Sequence, residues 1–332
     1  MKNRNWKLFL GCLFSLFFLT GCDAESKLPQ IISETEETDS SSDTLEEAAI
    51  KEPLPFHILP KKLTVPGLQK EYTFLFLSDT HVIELNGTES DKVMENALPR
   101  IELFKDIAGI SSAERFPEWI DYANEKEVDM VLFGGDIIDF PSEGNLKLLK
   151  ENTDKLSMPF VFTLGNHDWT YPWDYMTVEG RNTYRPLFHD LTDGNPAASV
   201  TEYEELVILT VDNSSNQLDA AALAVTDEAL SLNKPVLVIA HVPFSTESLL
   251  KKAHGIWNSP VSIGMADEGG IFPDANTLAF QKKILAANSP VFCILSGHVH
   301  FSDESALTDS VVQIVNGTGY TGEGVLLQIS GN

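Results

Sequence analysis

Five short polar motifs hold the residue types that can do chemistry in this chain. They are Ser78-Asp79-Thr80-His81, Gly134-Gly135-Asp136-Ile137-Ile138-Asp139, Gly165-Asn166-His167-Asp168, Ala240-His241-Val242-Pro243 and Gly297-His298-Val299-His300. Together they supply Asp, Asn and His side chains in the number needed to hold two metal ions. Asp79 and His81 are separated by one residue, as are His298 and His300. On an ending strand positions i and i+2 point to the same side, so each pair can serve one ion. Asp136 follows two glycines, which permit the sharp turn that exposes its carboxylate, and two carboxylate oxygens can bridge two cations. Asp139 reads as a group that supports a ligand or caps a turn. Asn166 offers an uncharged hard oxygen. His167 points elsewhere, and Asp168 can fix its tautomer or raise its basicity. His241 leaves a buried strand just before Val-Pro. Singly, each motif also reads as a turn, a cap or a structural histidine. Five loops delivering ligand types to one edge carry far more weight.

Each motif follows an apolar run, and those runs are the elements that must position it. Strands are predicted at Tyr72–Leu77, Val128–Phe133, Phe160–Leu164, Leu206–Val211, Val236–Ala240, Val291–Leu295, Val311–Val315 and Val325–Ile329. Helical periodicity is predicted from near Phe116-Pro117, with Pro in the first turn, and over Leu146–Leu156, Leu218–Leu232 and Asn276–Ala287. The alternation predicts an α/β or mixed layered domain. The continuous apolar strands suit sheets covered on both faces. Ligands bind at the carboxyl edge of such sheets, so motifs far apart in sequence converge there.

In this order the motifs resemble the calcineurin-like metallophosphoesterase family. Its pattern is Asp-x-His, Gly-Asp-x-x-Asp, Gly-Asn-His-Asp/Glu, His and Gly-His-x-His. The match runs from Asp79 to His300 with no departure at a ligand position. The resemblance implies a four-layer α/β/β/α sandwich and a hydrolase acting on phosphoric ester bonds. It implies one metal held by Asp79, His81 and His300 and a second by Asn166, His241 and His298, with Asp136 bridging. The set is all nitrogen and oxygen, which suits Fe, Mn or Zn. It further implies attack by a metal-activated hydroxide, with His167 as general acid oriented by Asp168. The expected substrate is a small phosphate ester, either a phosphomonoester or a phosphodiester.

Composition sets the context. The 332 residues carry a formal net charge of −26, which disfavours strong nucleic-acid binding. Lys2, Arg4 and Lys7 precede an apolar run from Leu8 to Leu19 that ends in Leu19-Thr20-Gly21-Cys22. The run is too short for a comfortable membrane span, and its ending resembles a bacterial lipobox. The expectation is a signal peptide over residues 1–21 and a lipid on Cys22, anchoring an extracytoplasmic protein to the cell membrane. Residues 22–52 hold the lipidated Cys and an acidic tether: from Asp23 to Glu52 ten acids face Lys27 and Lys51, too little apolar surface to fold. The enzyme domain then spans 53–332. With Cys12 removed and Cys22 acylated, only Cys293 remains, as a buried thiol.

Substrate choice falls to the loops. Glu84–Glu114 and Ser245–Asp274 exceed a minimal connection. The second carries Trp257 with Gly264, Gly269 and Gly270, which reads as a mobile or irregular lid. Trp169–Pro186 carries Trp173, Tyr175, Arg181, Tyr184 and Arg185. Arg181 and Arg185 are candidates for phosphate contact, the Tyr and Trp residues of this stretch, Tyr184 among them, for stacking on a base, and Trp257 for substrate contact; local packing is the alternative. The competing reading of the whole is a non-catalytic or solute-binding surface lipoprotein that retains the fold.

Overall fold

Tyr72, Phe74 and Phe76 alternate with Leu75 and Leu77, and the two sets meet different layers. This strand, β2 (Tyr72–Leu77), is buried on both faces, as the period of two in a doubly covered sheet requires. The computed structural model describes residues 56–174, 176–264 and 269–332. Around β2 the chain builds a five-stranded sheet from β1 (His57–Thr64), β3 (Met130–Phe133), β4 (Phe160–Phe162) and β11 (Glu323–Ser330), in the order β1-β11-β2-β3-β4. Strands β2, β3 and β4 run parallel. A six-stranded sheet, ordered β5-β6-β7-β8-β10-β9, comprises β5 (Ala198–Tyr203), β6 (Leu206–Val211), β7 (Val236–Ala240), β8 (Val291–Ser296), β9 (Asp303–Ala306) and β10 (Val312–Val315). Here β6, β7, β8 and β10 are mutually parallel.

Three apolar layers bind these sheets into a sandwich. Between them, Phe74, Phe76, Leu132, Ile208, Ile239 and Leu295 share one core. On the outer face of the first sheet, Leu75 and Phe133 pack with Phe116, Trp119 and Ile120 of α2 (Ser112–Lys126) and Leu149 of α3 (Glu143–Thr153). On the outer face of the second, Val207 and Val238 pack with Ala222 of α6 (Ala220–Ser231) and Phe280 and Ile284 of α8 (Ala275–Ile284). The fold is the four-layer α/β/β/α sandwich. Each fully buried Phe or Leu contributes about 1.5–3 kcal/mol, so the middle core holds the two sheets in register.

Several elements depart from the sequence expectation. Helix α2 begins at Ser112, not near Phe116, because Ser111 and Glu114 form a reciprocal capping box; Pro117 lies inside the helix. The two long connections are not bare loops. Glu84–Glu114 contains α1 (Asp91–Leu103), capped by Ser90. Ser245–Asp274 contains α7 (Glu247–Trp257), capped by Thr246. Its later part is irregular, as the mobile-or-irregular reading allowed, and is tied back where Ile263 N–H donates to Pro243 O and Ser245 N–H donates to Ile263 O. A short helix α4 (Asn166–Trp169) follows β4, and α5 (Val178–Tyr184) precedes a 3₁₀ turn at Arg185–Leu191. The signal segment, Cys12, Cys22, the acidic tether and Tyr175 lie outside the described residues.

Candidate metal centre

The motifs leave the carboxyl ends of parallel strands, and both sheets contribute. Asp79 and His81 follow β2, Asp136 follows β3, and Asn166 follows β4. His241 follows β7, and His298 and His300 follow β8. The backbone there is not the ending strand assumed from sequence. Asp79, His81, Asp136, His298 and His300 all have positive φ, at 56°, 42°, 52°, 72° and 56°. Left-handed backbone costs a non-glycine residue about 1 kcal/mol or more, so it persists only where neighbours fix it. The loops do so mutually. Asp79 N–H donates to Gly135 O at 3.0 Å and His81 N–H to Asp136 O at 3.0 Å. His298 N–H donates to the Asp79 carboxylate at 2.9 Å, and His167 N–H to Asp136 Oδ1 at 2.7 Å. Gly135, at φ 88°, permits a close approach: a Cβ there would lie 2.5 Å from Gly165 N and 2.7 Å from His241 Nδ1.

Among the described residues three ligand clusters result, one of them His81, Asp139 and His167; the other two are made of expected ligands. Asp79, His81 and His300 offer atoms within 4.8 Å of one another, and so do Asp136, His241 and His298. His81 Nε2 and His300 Nε2 are 2.9 Å apart. Asp136 Oδ2 lies 3.1 Å from His241 Nε2 and 4.0 Å from His81 Nε2, so one oxygen faces both clusters. The imidazoles are pre-set by their other nitrogens: His241 Nδ1 donates to Gly134 O at 2.8 Å, and His81 Nδ1 to Asp139 Oδ1 at 3.0 Å. Each arrangement leaves Nε2 as the ligating lone pair.

The donors fit cations by a direct criterion. Asp136 Oδ2, Asn166 Oδ1 and His241 Nε2 are buried without a hydrogen-bond partner. Three such atoms, from three loops, would each cost about 1–3 kcal/mol if nothing satisfied them. Asp136 Oδ2 and His241 Nε2, 3.1 Å apart, compensate each other only while the imidazole is protonated; a cation satisfies all three atoms together. The electrostatics agree. Burial pushes Asp79 up to about 7 against the pull of His241. Burial opposes charge on His241, yet Asp136 and Asp79 carry it up to about 10. Asp136 is held well below the carboxylate range despite burial, by His241 and His167. In the cation-free chain, imidazolium stands in for metal charge.

Behind the ligands the arrangement differs from expectation. Asp168 does not orient His167. Its buried carboxylate accepts N–H bonds from Asp136 at 2.9 Å, Ile137 and Ile138 at 3.0 Å and Gly165 at 2.7 Å. Three consecutive N–H groups of the Asp136 turn converge there, so Asp168 shapes a ligand loop. The group beside His167 is Asp139, with Oδ1 3.1 Å and its carbonyl oxygen 3.2 Å from His167 Nδ1. Asp139 also pairs through both oxygens with Arg100 of α1.

The loop candidates divide. Arg181 and Arg185 face inward: both pair with Asp219 and with Asp212, whose side chain is fully buried. At 18% and 15% exposure their guanidinium groups are taken up by these ion pairs, which anchor α5 and the turn after it. Tyr184 packs in the outer core and against Tyr171. Trp257 alone reaches the centre, its ring 5.6 Å from that of His300 and its Nε1 bonded to Val299 O. Sequence reasoning missed Arg100, Phe104 and Tyr320. Phe104 stacks on His81 at 4.2 Å, and Tyr320 lies 6.2 Å from His300. The apolar spacing of Val93, Ala97, Ile101 and Phe104 was the available signal for α1.

Imidazole, carboxylate and amide donors thus gather at the carboxyl edges of the sandwich as candidate ligands for two adjoining cation sites. The profile of the calcineurin-like phosphoesterases matches residues 72–302. The chain belongs to that family and is a phosphoric ester hydrolase. Among solved structures it is similar to a dimetal phosphatase from Danio rerio, with 14% identity over 74% of this chain and 87% of that one, TM-score 0.47. It is also similar to a phosphopantetheinyl hydrolase from Mycobacterium tuberculosis, with 13% identity over 75% and 90%, TM-score 0.39. A 5'-nucleotidase from Candida albicans shares 10% identity over 80% of this chain and 47% of that one, TM-score 0.39. No curated protein sequence matches the chain.

Proposed function

We propose that this protein hydrolyses small phosphate esters at a two-cation centre, with His167 as the proton donor to the leaving oxygen. Asp79, His81 and His300 would hold one ion and Asn166, His241 and His298 the other, with Asp136 as the ligand shared between them. When bound, the cations supply Lewis acidity to the phosphoryl oxygens and lower the pKa of a water. An all-N/O donor set suits Fe, Mn or Zn. The observation that carries the reading is the set of buried atoms on Asp136, Asn166 and His241 that make no hydrogen bond, beside the two clusters of ligand atoms.

The protein's own groups divide the remaining work. Asp139 takes Nδ1 of His167, which leaves Nε2 on the opposite edge of the ring for proton transfer. Burial works against protonation of His167, but Asp136 and Asp139 raise its pKa above the ordinary value, which favours the acid form. His167 is about a fifth exposed, so its ring meets the opening of the site. The charge of −26 disfavours polynucleotides and leaves small esters as the substrate class.

The deciding experiment is activity on phosphomonoesters and phosphodiesters after chelation, with Mn, Fe and Zn added back separately. Metal-dependent turnover on one ester class is the expected result. Stoichiometric metal binding with no turnover on any ester would instead favour a binding protein.

The same proposal places the enzyme outside the cytoplasm, tethered by a lipid on Cys22. Lys2, Arg4 and Lys7, the run to Leu19 and Leu19-Thr20-Gly21-Cys22 support it. Metabolic labelling with a fatty acid should mark the wild type and not Cys22→Ser. Equal labelling of both removes the assignment.

A further inference from the structure

Arg100 comes from α1, a helix that carries none of the five motifs. Its Nε and Nη2 engage both oxygens of Asp139, Nη2 to Oδ1 at 2.7 Å, and Nη2 also lies 3.5 Å from His167 Nδ1. The same carboxylate serves His81 Nδ1 at 3.0 Å and His167 Nδ1 at 3.1 Å. Asp139 is wholly buried, whereas the Arg100 side chain is 22% exposed. The guanidinium is held from a second side, 5.2 Å over the Phe104 ring, which itself stacks on His81.

We propose that Arg100 is the positioning residue for the proton donor. It fixes the plane of the Asp139 carboxylate, which in turn sets the His167 ring so that Nε2 meets the leaving oxygen. The physical reason lies in the sharing of one carboxylate. Oδ1 of Asp139 is contacted by His81, His167 and Arg100, so without a second constraint the group can rotate to follow any one of them. A guanidinium fork grips both oxygens in one plane and removes that freedom. A lysine brings a point charge and cannot.

The inference rests on the proposed acid role of His167, and the test separates the two. Arg100→Ala, Arg100→Lys and His167→Asn are compared on an alkyl phosphate and on 4-nitrophenyl phosphate, whose leaving group needs no proton. Metal content is measured for each. Arg100→Ala is expected to keep both ions and to lose kcat about 100-fold on the alkyl ester but only about threefold on the aryl ester, with KM little changed. Added methylguanidinium should restore much of the alkyl activity, because the position is partly open to solvent. Arg100→Lys should not recover it. A plain strut for α1 predicts equal loss on both esters and no rescue, and that result overturns the inference, as does loss of metal from Arg100→Ala. If His167→Asn itself fails to distinguish the esters, the acid role falls first. If it distinguishes them and Arg100→Ala does not, Arg100 alone is excluded.

Discussion

Oδ2 of Asp168 accepts the backbone N–H of Asp136 at 2.9 Å, so the acid next to His167 in sequence serves a ligand on another strand in space. Four N–H groups end on that carboxylate. Asp168→Asn puts an amide donor among donors, and it is expected to destabilise the fold by about 3 kcal/mol. Denaturant unfolding would measure this, and weaker metal binding should accompany it. Unchanged stability with an altered pH–rate profile would return Asp168 to the role of orienting His167.

Asp136→Asn should lose bound metal and activity together. An amide presents one oxygen, and here Oδ1 already accepts from His167 N–H while Oδ2 faces both clusters. Elemental analysis of the purified variant checks it. Retention of two ions with full turnover would rule out the shared-ligand arrangement.

His167→Asn should slow esters with poor leaving groups by about 100-fold or more and leave aryl esters much less affected. The comparison of kcat across leaving groups of graded acidity reads this directly. Parallel loss across the series would assign His167 to binding.

Metal binding should release protons. Asp79 stands at about 7 and His241 at about 10 in the cation-free chain. Both are raised, so at neutral pH His241 carries a proton that a cation must displace. Affinity therefore falls as pH drops and rises until His241 is neutral without help. Calorimetry near pH 7.5 in buffers of different ionisation enthalpy should show about one proton released per chain. Proton-neutral binding would mean that His241 is already deprotonated.

Arg185→Ala should destabilise without touching catalysis. It strips a partner from the fully buried Asp212, a loss of about 3 kcal/mol where the carboxylate stays charged. The expected outcome is a lower Tm with KM unchanged at temperatures where the variant is folded. A raised KM would reopen a substrate role.

The strands and the layer order were legible because apolar runs such as Val236–Ala240 and Leu206–Val211 announce doubly covered strands by themselves. Strand β9 was not, since Asp303–Ala306 is polar and exists only by pairing with β10. Helix α1 was obscured by Pro99 and by a face that buries fully only Ala97 within the helix. At the centre, residue types and spacing named the ligands, but the period-two argument for Asp79 with His81 was right in direction and wrong in cause. Left-handed turns, locked by neighbouring loops, bring them together. The partner of His167 was unreadable, because sequence proximity favoured Asp168 while the loop after β3 delivers Asp139.

His298 and His300 sit two residues apart on one turn, yet each faces a different cluster. That turn is a shared hinge pin for the two cation sites, locked by the His298 N–H on the Asp79 carboxylate. An ion entering one site draws on the turn and on the Asp136 oxygen that the other site also uses. The ions are then not independent guests. Filling should be cooperative, half-loaded protein should be scarce in a titration, and a trace of chelator should empty both sites nearly together.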